Sequence, residues 1–286
     1  RYRSSAASDV YKRQPLVKVL LLAYPAPLSI RRSLHGPPSA QVMTPMSLAP
    51  TDYDFGDPVN YAFATTITCA NEEARKMYVR AFGHMLNYNH EQAIACFTKC
   101  TELDPACAMA WWGIAYCVSS NYNWSPGFAS GHDAIQQAVS LKDGLSELEC
   151  DLIDALAQRH SAEARDAADP TTLNMGNKPE LNQAFADAMA PLHEKYKGNL
   201  DVTAIYVEAL MNLNPWQLWS KNTETEEITP VDGNTLLLIN VMEEAFETID
   251  GAKEHPALCH LYCHALELSP YPCLLYTSDA ADDLYR

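Results

Sequence analysis

The stretch AIACFTKCTELDPACAMAWWGIA, Ala93–Ala115, decides the fold. Apolar residues recur in it at intervals of three and four, and Pro105 separates two helical segments. Ala93 and Phe97 stand four residues apart, so they share one helix face, where a small residue permits close packing and an aromatic ring fills the space beside it. Trp111 begins the corresponding face of the next segment. The stretch predicts two packed α-helices that meet at Pro105.

The same periodicity continues on both sides of this stretch. Upstream, a helix is predicted before a turn near residues 88–90, and strand-like alternation is scarce along the whole body. The fold class expected from this pattern is all-α. Further helices are predicted over Leu145 to Gln158, Glu180 to Tyr196, Val202 to Asn212, Thr235 to Asp250 and Pro256 to Leu268, with long loops at 119–131, 161–179 and 214–234.

The spacing of Ala93, Phe97, Pro105 and Trp111 resembles the tetratricopeptide repeat (TPR), a helix pair of about 34 residues. Longer segments are similar to a group of large bacterial and algal TPR proteins. The resemblance implies an α-α superhelix over residues 68–272, a solenoid of antiparallel helix pairs with long loops between repeats. It implies no particular reaction. The segments are FGHMLNYNHEQAIACF (82–97), DPACAMAWWGIAY (104–116), NPWQLW (214–219) and HPALCHLYCHALELSP (255–270).

The two ends of the chain differ from this body. The string SSAASDVYKRQ (4–14) resembles translated sequencing-adaptor DNA, and CLLYTSDAAD (273–282) resembles its reverse complement in a shifted frame. We therefore expect residues 1–14 and 273–286 to be cloning artefacts and the repeat body to be truncated at its carboxyl end. Residues 15–67 are expected to be an untranslated or disordered leader, although residues 15–42, which contain arginine and no acidic residue, also suit an organelle leader.

Composition excludes several classes of protein. The 286-residue chain has a net charge of -16, which argues against a nucleic-acid partner because phosphate binding needs clustered cations. Its longest apolar run is too short for a membrane span of about 20 residues. The nine cysteines lie mostly in helical, apolar surroundings, as buried thiols do, and this predicts the cytoplasm or another reducing compartment.

The segment HPALCHLYCHALE, His255–Glu267, is the strongest candidate for chemistry. His260 and His264 are four residues apart and Glu267 follows three later, so the three share one helical stripe. Two imidazoles at this spacing can bind one divalent metal ion, with Glu267 or His255 as a further or orienting ligand. Core or groove histidines bonded to backbone or carboxylate groups explain the same pattern, and the glutamate of a zinc-protease HExxH motif is absent.

Aromatic and histidine side chains elsewhere are candidates for a binding groove. His84 and His90 flank the first turn, where either can face the groove and meet the later histidines. Loop aromatics such as Phe128 often line binding surfaces or close the rim of a solenoid. The candidate groove and loop residues are His84, Tyr88, Trp112, Trp124, Trp216 and Trp219.

Two functions are consistent with these features. The first is a TPR-type scaffold that binds a protein or peptide partner in a solenoid groove and needs no cofactor. The alternative is a metal-binding protein or metal-dependent enzyme that uses His255, His260 and His264. The sequence leaves open whether the chain is an enzyme and which oligomeric state it adopts.

Overall fold

The computed structural model describes residues 61–123, 129–160, 162 and 179–271, and this part of the chain is predominantly α-helical, which confirms the predicted all-α class. A two-stranded hairpin and one turn of 3-10 helix, Ala252–Glu254, interrupt the helices. The elements are α1 (Ala62–Thr66), α2 (Glu72–Leu86), α3 (His90–Leu103), α4 (Ala108–Cys117), α5 (Ala129–Ser140), α6 (Glu147–Ala157), α7 (Pro179–Lys195), α8 (Leu200–Met211), β1 (Trp219–Lys221), β2 (Ile228–Pro230), α9 (Gly233–Thr248) and α10 (Pro256–Leu266).

Polar side chains at the helix ends explain where several helices begin. The Asn71 side chain accepts hydrogen bonds from the first backbone N–H groups of α2, and Asn199 does the same for α8. Ser146 and Glu149 form a reciprocal capping box at the start of α6. Asp104 ends α3 immediately before Pro105, as the sequence predicts.

The helices pack along the chain in sequence order. Each helix from α2 to α9 contacts the next helix along the chain. Three further pairs also pack together: α2 with α4, α4 with α6, and α8 with α10. Ala93 and Phe97 are fully buried. The Phe97 ring lies against the backbone of Gly113, where an added Cβ would come within 2.4 Å of the ring. The small residues therefore let α3 and α4 approach closely.

The loop between α8 and α9 contains the hairpin, which the sequence analysis did not predict. β1 and β2 pair antiparallel, with Trp219 opposite Pro230. The Trp219 indole donates to the backbone oxygen of Ala265, 2.7 Å away, and so attaches the hairpin to α10. Trp219 consequently has a structural anchoring contact as well as its predicted place in a loop.

The folded body begins upstream of the predicted boundary at residue 68. Phe63 and Ile67 are buried in the core, and the backbone N–H of Phe63 donates to Asp201 of α8 at 2.9 Å. Residues 61–67 are therefore packed against helices late in the chain, because their apolar side chains have a core to enter. Within the described ranges no helix combines the length and the apolar character needed to cross a bilayer.

Candidate functional site

Six ring side chains form a continuous row through one region of the molecule. Tyr88 lies between His90 and His260, with ring centroids 5.5 and 5.0 Å away. His260 and His264 are 4.9 Å apart. Tyr122 lies between His264 and Trp216, at 5.3 and 5.2 Å. We call this row the ring cluster: His90, Tyr88, His260, His264, Tyr122 and Trp216.

Helix α10 supplies the centre of the ring cluster. His260 and His264 are one turn apart, and their Nε2 atoms face each other at 3.0 Å. The Nδ1 of His264 lies 2.8 Å from Glu267 Oε1, so the carboxylate orients this imidazole and favours the proton on Nδ1. The pKa of His260 is lowered to about 4, mainly by burial of its ring and secondly by the neighbouring His264. His260 is therefore neutral at pH 7.

His255 does not join this pair. Its ring is fully buried at the start of α10, where Nδ1 accepts from the backbone N–H of Leu258 and Nε2 lies 3.1 Å from Asp201 Oδ1. Both ring nitrogens are thus engaged, which corrects the prediction that His255 is a ligand beside His260 and His264. The Glu267 carboxylate contacts Nδ1 of His264 and not the Nε2 atoms that face each other. Its place is therefore that of a group that orients His264.

A layer of buried charge lies behind the ring cluster. The Tyr116 hydroxyl donates to Glu208 Oε2 at 2.5 Å, and both residues are buried. Burial and then the Glu208 carboxylate raise the pKa of Tyr88 and of Tyr116, while Arg159 opposes the rise. The guanidinium of Arg159 donates to Asn182 and to the backbone oxygen of Ser120. These buried polar groups therefore act electrostatically on Tyr88 of the ring cluster.

The cluster opens to solvent at Trp216. Trp216 is 50% exposed, whereas its stacking partner Tyr122 is buried. Glu267 is also exposed and lies near the same opening, next to His264. At the opposite end, His90 is buried, with Nδ1 3.2 Å from the Asn121 amide and Nε2 without a hydrogen bond to any described residue.

Two residues of the row have a left-handed backbone conformation. Tyr88 has a φ of 59° and Trp216 has a φ of 60°. Both values lie in the left-handed region, which residues other than glycine rarely adopt. The only other described residue of this kind apart from glycine is Glu226, in the hairpin turn. Tyr88 takes this conformation in the turn that ends α2, where its N–H donates to Met85 O and the Asn89 N–H donates to His84 O. Trp216 takes it in the turn after Pro215, where the Gln217 N–H donates to Asn214 O.

The remaining predicted groove residues lie elsewhere. Trp112 is fully buried and its indole donates to the backbone oxygen of Leu152, so it is a core residue and the groove prediction for it is wrong. His84 is half-buried and contacts Asn89, outside the ring cluster. Trp111 donates to the backbone oxygen of Pro105 and closes the turn between α3 and α4. Trp124 and Phe128 lie outside the described residues.

Several important residues were missed by the sequence analysis. Tyr122 lies in the predicted loop, and Asp201 and Glu208 belong to an apolar helical pattern, so no local signal links them to the histidines. The structure also brings together three cysteines, Cys69, Cys100 and Cys107, whose spacing matches no familiar zinc motif.

Comparisons of this chain with models of known families, with curated proteins and with solved structures find no match.

Proposed function

We propose that this chain is a TPR-like helical scaffold that binds a basic segment of a protein partner at the open end of the ring cluster. Sequential helix packing and the buried small-and-aromatic pair at Ala93 and Phe97 support the repeat assignment. The observation that carries the binding site is the half-exposed ring of Trp216 stacked on the buried ring of Tyr122 at the solvent end of the row.

The Trp216 indole lies half in solvent, stacked on Tyr122 and with its ring in an edge contact with His264. A rigid, half-exposed tryptophan is a typical anchor of a protein interface.

The chemistry of the opening selects a cationic side chain. Trp216 presents a half-exposed indole, Glu267 adds an exposed carboxylate, and the chain has a net charge of -16. A lysine or arginine gains both a cation–π contact and an ion pair in such surroundings. The long-range field of the acidic chain adds attraction for a basic segment.

The test uses the full chain and two short fluorescent peptides, one of alternating alanine and lysine and one with glutamate replacing lysine. We expect saturable binding of the lysine peptide alone, measured by fluorescence anisotropy, and about a tenfold loss of affinity in Trp216→Ala. Leu236→Ala is the matched control, because Leu236 is 49% exposed and lies outside the cluster. Equal binding by both variants, or no binding by the wild type, contradicts the proposal.

A second candidate function is divalent metal binding by His260 and His264. Their Nε2 atoms are 3.0 Å apart, so both fit at an ordinary metal–nitrogen distance of about 2.0–2.1 Å from one ion. Glu267 on Nδ1 of His264 is the outer carboxylate that commonly accompanies a ligating histidine. The two protein nitrogens would leave coordination positions for water or a substrate, where an ion acts as a Lewis acid.

Elemental analysis of the full chain, purified without a histidine tag, tests this candidate. We expect a divalent ion that is lost in the double variant His260→Ala/His264→Ala and retained in His84→Ala, whose imidazole lies outside the cluster. Unchanged metal content in the double variant contradicts metal binding by this pair, and it has no bearing on the peptide result.

A further inference from the structure

A second group of metal-binding side chains lies away from the ring cluster. The sulfur atoms of Cys69, Cys100 and Cys107 lie within 4.8 Å of one another. All three residues are buried. We propose that these cysteines bind a single thiophilic metal ion, Cu⁺ or Zn²⁺, through three thiolates.

The three thiols come from three separate segments. Cys69 precedes α2, Cys100 is in the last turn of α3, and Cys107 is the residue that caps the start of α4. An ion bound between them would join these segments at one point. Such a site can be built only by the folded chain, so metal binding would stabilise the fold.

The distances suit direct coordination. A metal–sulfur bond of about 2.3 Å places the sulfurs of a shared ion about 3.8–4.0 Å apart, within the limit observed for this group. Soft thiolate ligands select ions such as Cu⁺ and Zn²⁺ over hard cations such as Mg²⁺. Burial of all three cysteines limits access of water, which favours coordination by the protein sulfurs.

Nearby groups offset the charge that such a site acquires. Each thiol releases its proton to solvent when it ligates the ion, which leaves the site with a net negative charge. The Arg75 guanidinium donates to the backbone oxygen of Cys69 at 2.6 Å, so a fixed positive charge lies close by. The amino-terminal end of α4, next to Cys107, also favours negative charge.

Asp104 lies beside the site and is not one of its ligands. Its Oδ2 accepts from the backbone N–H groups of Ala70 and Asn71 and from the thiol of Cys69, whose sulfur lies 3.4 Å away; the thiol gives up this last hydrogen bond when it ligates the ion. The carboxylate therefore fixes the segment that contains Cys69 relative to the end of α3. Among the described residues, the three sulfurs are the group of metal-binding atoms that all lie within 4.8 Å of one another.

The test titrates the full, reduced and metal-stripped chain with Cu⁺ in one arm and with Zn²⁺ in the other, using Co²⁺ as the spectroscopic substitute for zinc. We expect one ion per chain in at least one arm, an X-ray absorption spectrum with sulfur donors at about 2.3 Å, and a rise in the midpoint of thermal unfolding. Whichever arm gives this result identifies the ion.

Variants separate ligation from general packing. Cys69→Ser and Cys107→Ser should lose stoichiometric binding, while Cys96→Ser and Cys117→Ser, which alter equally buried cysteines outside the group, should keep it. Cys69 lies outside any helix, so its variant should keep the helical circular dichroism of the wild type.

Three outcomes overturn the proposal: no stoichiometric binding in either arm, a spectrum without sulfur donors, or equal loss of metal in the two control variants. The donor measurement is made on the wild type and stands even where a serine variant fails to fold. Metal that disappears in His260→Ala/His264→Ala and persists in Cys107→Ser would belong to the ring cluster instead.

Discussion

The helices from Glu72 to Cys117 and those from Leu200 to Leu266 are stabilised by different kinds of contact. In the first region small and aromatic side chains interlock, as where the Phe97 ring lies against Gly113. In the second, buried ionisable groups bridge distant segments: Asp201 binds both His255 and the backbone of Phe63, and Glu208 accepts from Tyr116.

This difference separates two ways of specifying a fold. Close packing of apolar side chains depends on their shape. When a substitution disturbs it, the loss of stability depends on how far the neighbouring side chains can relax. A buried polar bridge depends on having both partners present, because removal of one leaves the other desolvated and unsatisfied. The second region should therefore be the more sensitive to single polar substitutions, and the first to changes of volume.

The largest effect is expected for Asp201→Ala. Asp201 is 1% exposed, and its removal leaves His255 and the Phe63 N–H without their acceptor. We expect a loss of about 3–5 kcal/mol in the free energy of unfolding, measured by urea denaturation. Asp187→Ala, at an exposed position on α7, should change it by less than about 0.5 kcal/mol. Similar effects of the two variants would remove the distinction between the regions.

The pH dependence of stability tests the ring cluster. The pKa of His260 is about 4 in the folded chain and about 6.5 when unfolded, so between these values the unfolded state takes up a proton that the folded state does not. Stability should fall by at most about 3 kcal/mol from pH 6.5 to pH 4, with no contribution above that range. His260→Gln should remove this pH-dependent part of the stability, as measured by urea unfolding at pH 7.5 and pH 4.5. If the urea midpoint of the variant differs from that of the wild type by the same amount at both pH values, the prediction is wrong.

Gly113→Ala tests the packing of the first region. The new Cβ would lie 2.4 Å from the Phe97 ring, and we expect a loss of about 1–3 kcal/mol by thermal or urea unfolding. Gly233→Ala, where nothing lies within 4 Å of the added carbon, should be close to neutral. Adding Phe97→Leu to Gly113→Ala should recover part of the loss, and strictly additive effects would show that the ring is not the obstacle.

The smallest effect is expected at a helix cap between the two regions. Ser146→Ala removes the side chain that caps α6, at a cost of about 1 kcal/mol in unfolding free energy. Ser140→Ala, at an exposed position at the end of α5, serves as its comparison and should change stability by less than about 0.5 kcal/mol. Equal urea midpoints for the two variants would indicate that the cap contributes little.

The sequence predicted the helices well because their signals are local. The expected segment Val202 to Asn212 corresponds to α8, and Pro256 to Leu268 to α10, with ends that differ by two residues or fewer. The strands of the hairpin are three residues long, too short for an alternating pattern to be recognised. Residues 61–67 were placed outside the body because one short apolar segment does not indicate which surface it covers.

The candidate site was only partly predictable, for a related reason. Helical spacing places His260 and His264 on one stripe, and the structure has their Nε2 atoms facing each other. Periodicity within one helix cannot show that Tyr88 and Tyr122 lie on either side of this histidine pair. Nor can it show that His255 binds Asp201 instead of joining the pair. Those contacts depend on tertiary packing between segments far apart in the chain.

The contact between Phe63 and Asp201 has a consequence for how the molecule comes apart. A linear array of helices can fray from its ends, losing one unit at a time. Here Asp201 of α8 binds both the first described helix, at Phe63, and the start of α10, at His255. Opening either end then requires breaking the same buried junction, so backbone amides near residue 63 and near residue 258 should exchange their hydrogens in one concerted event.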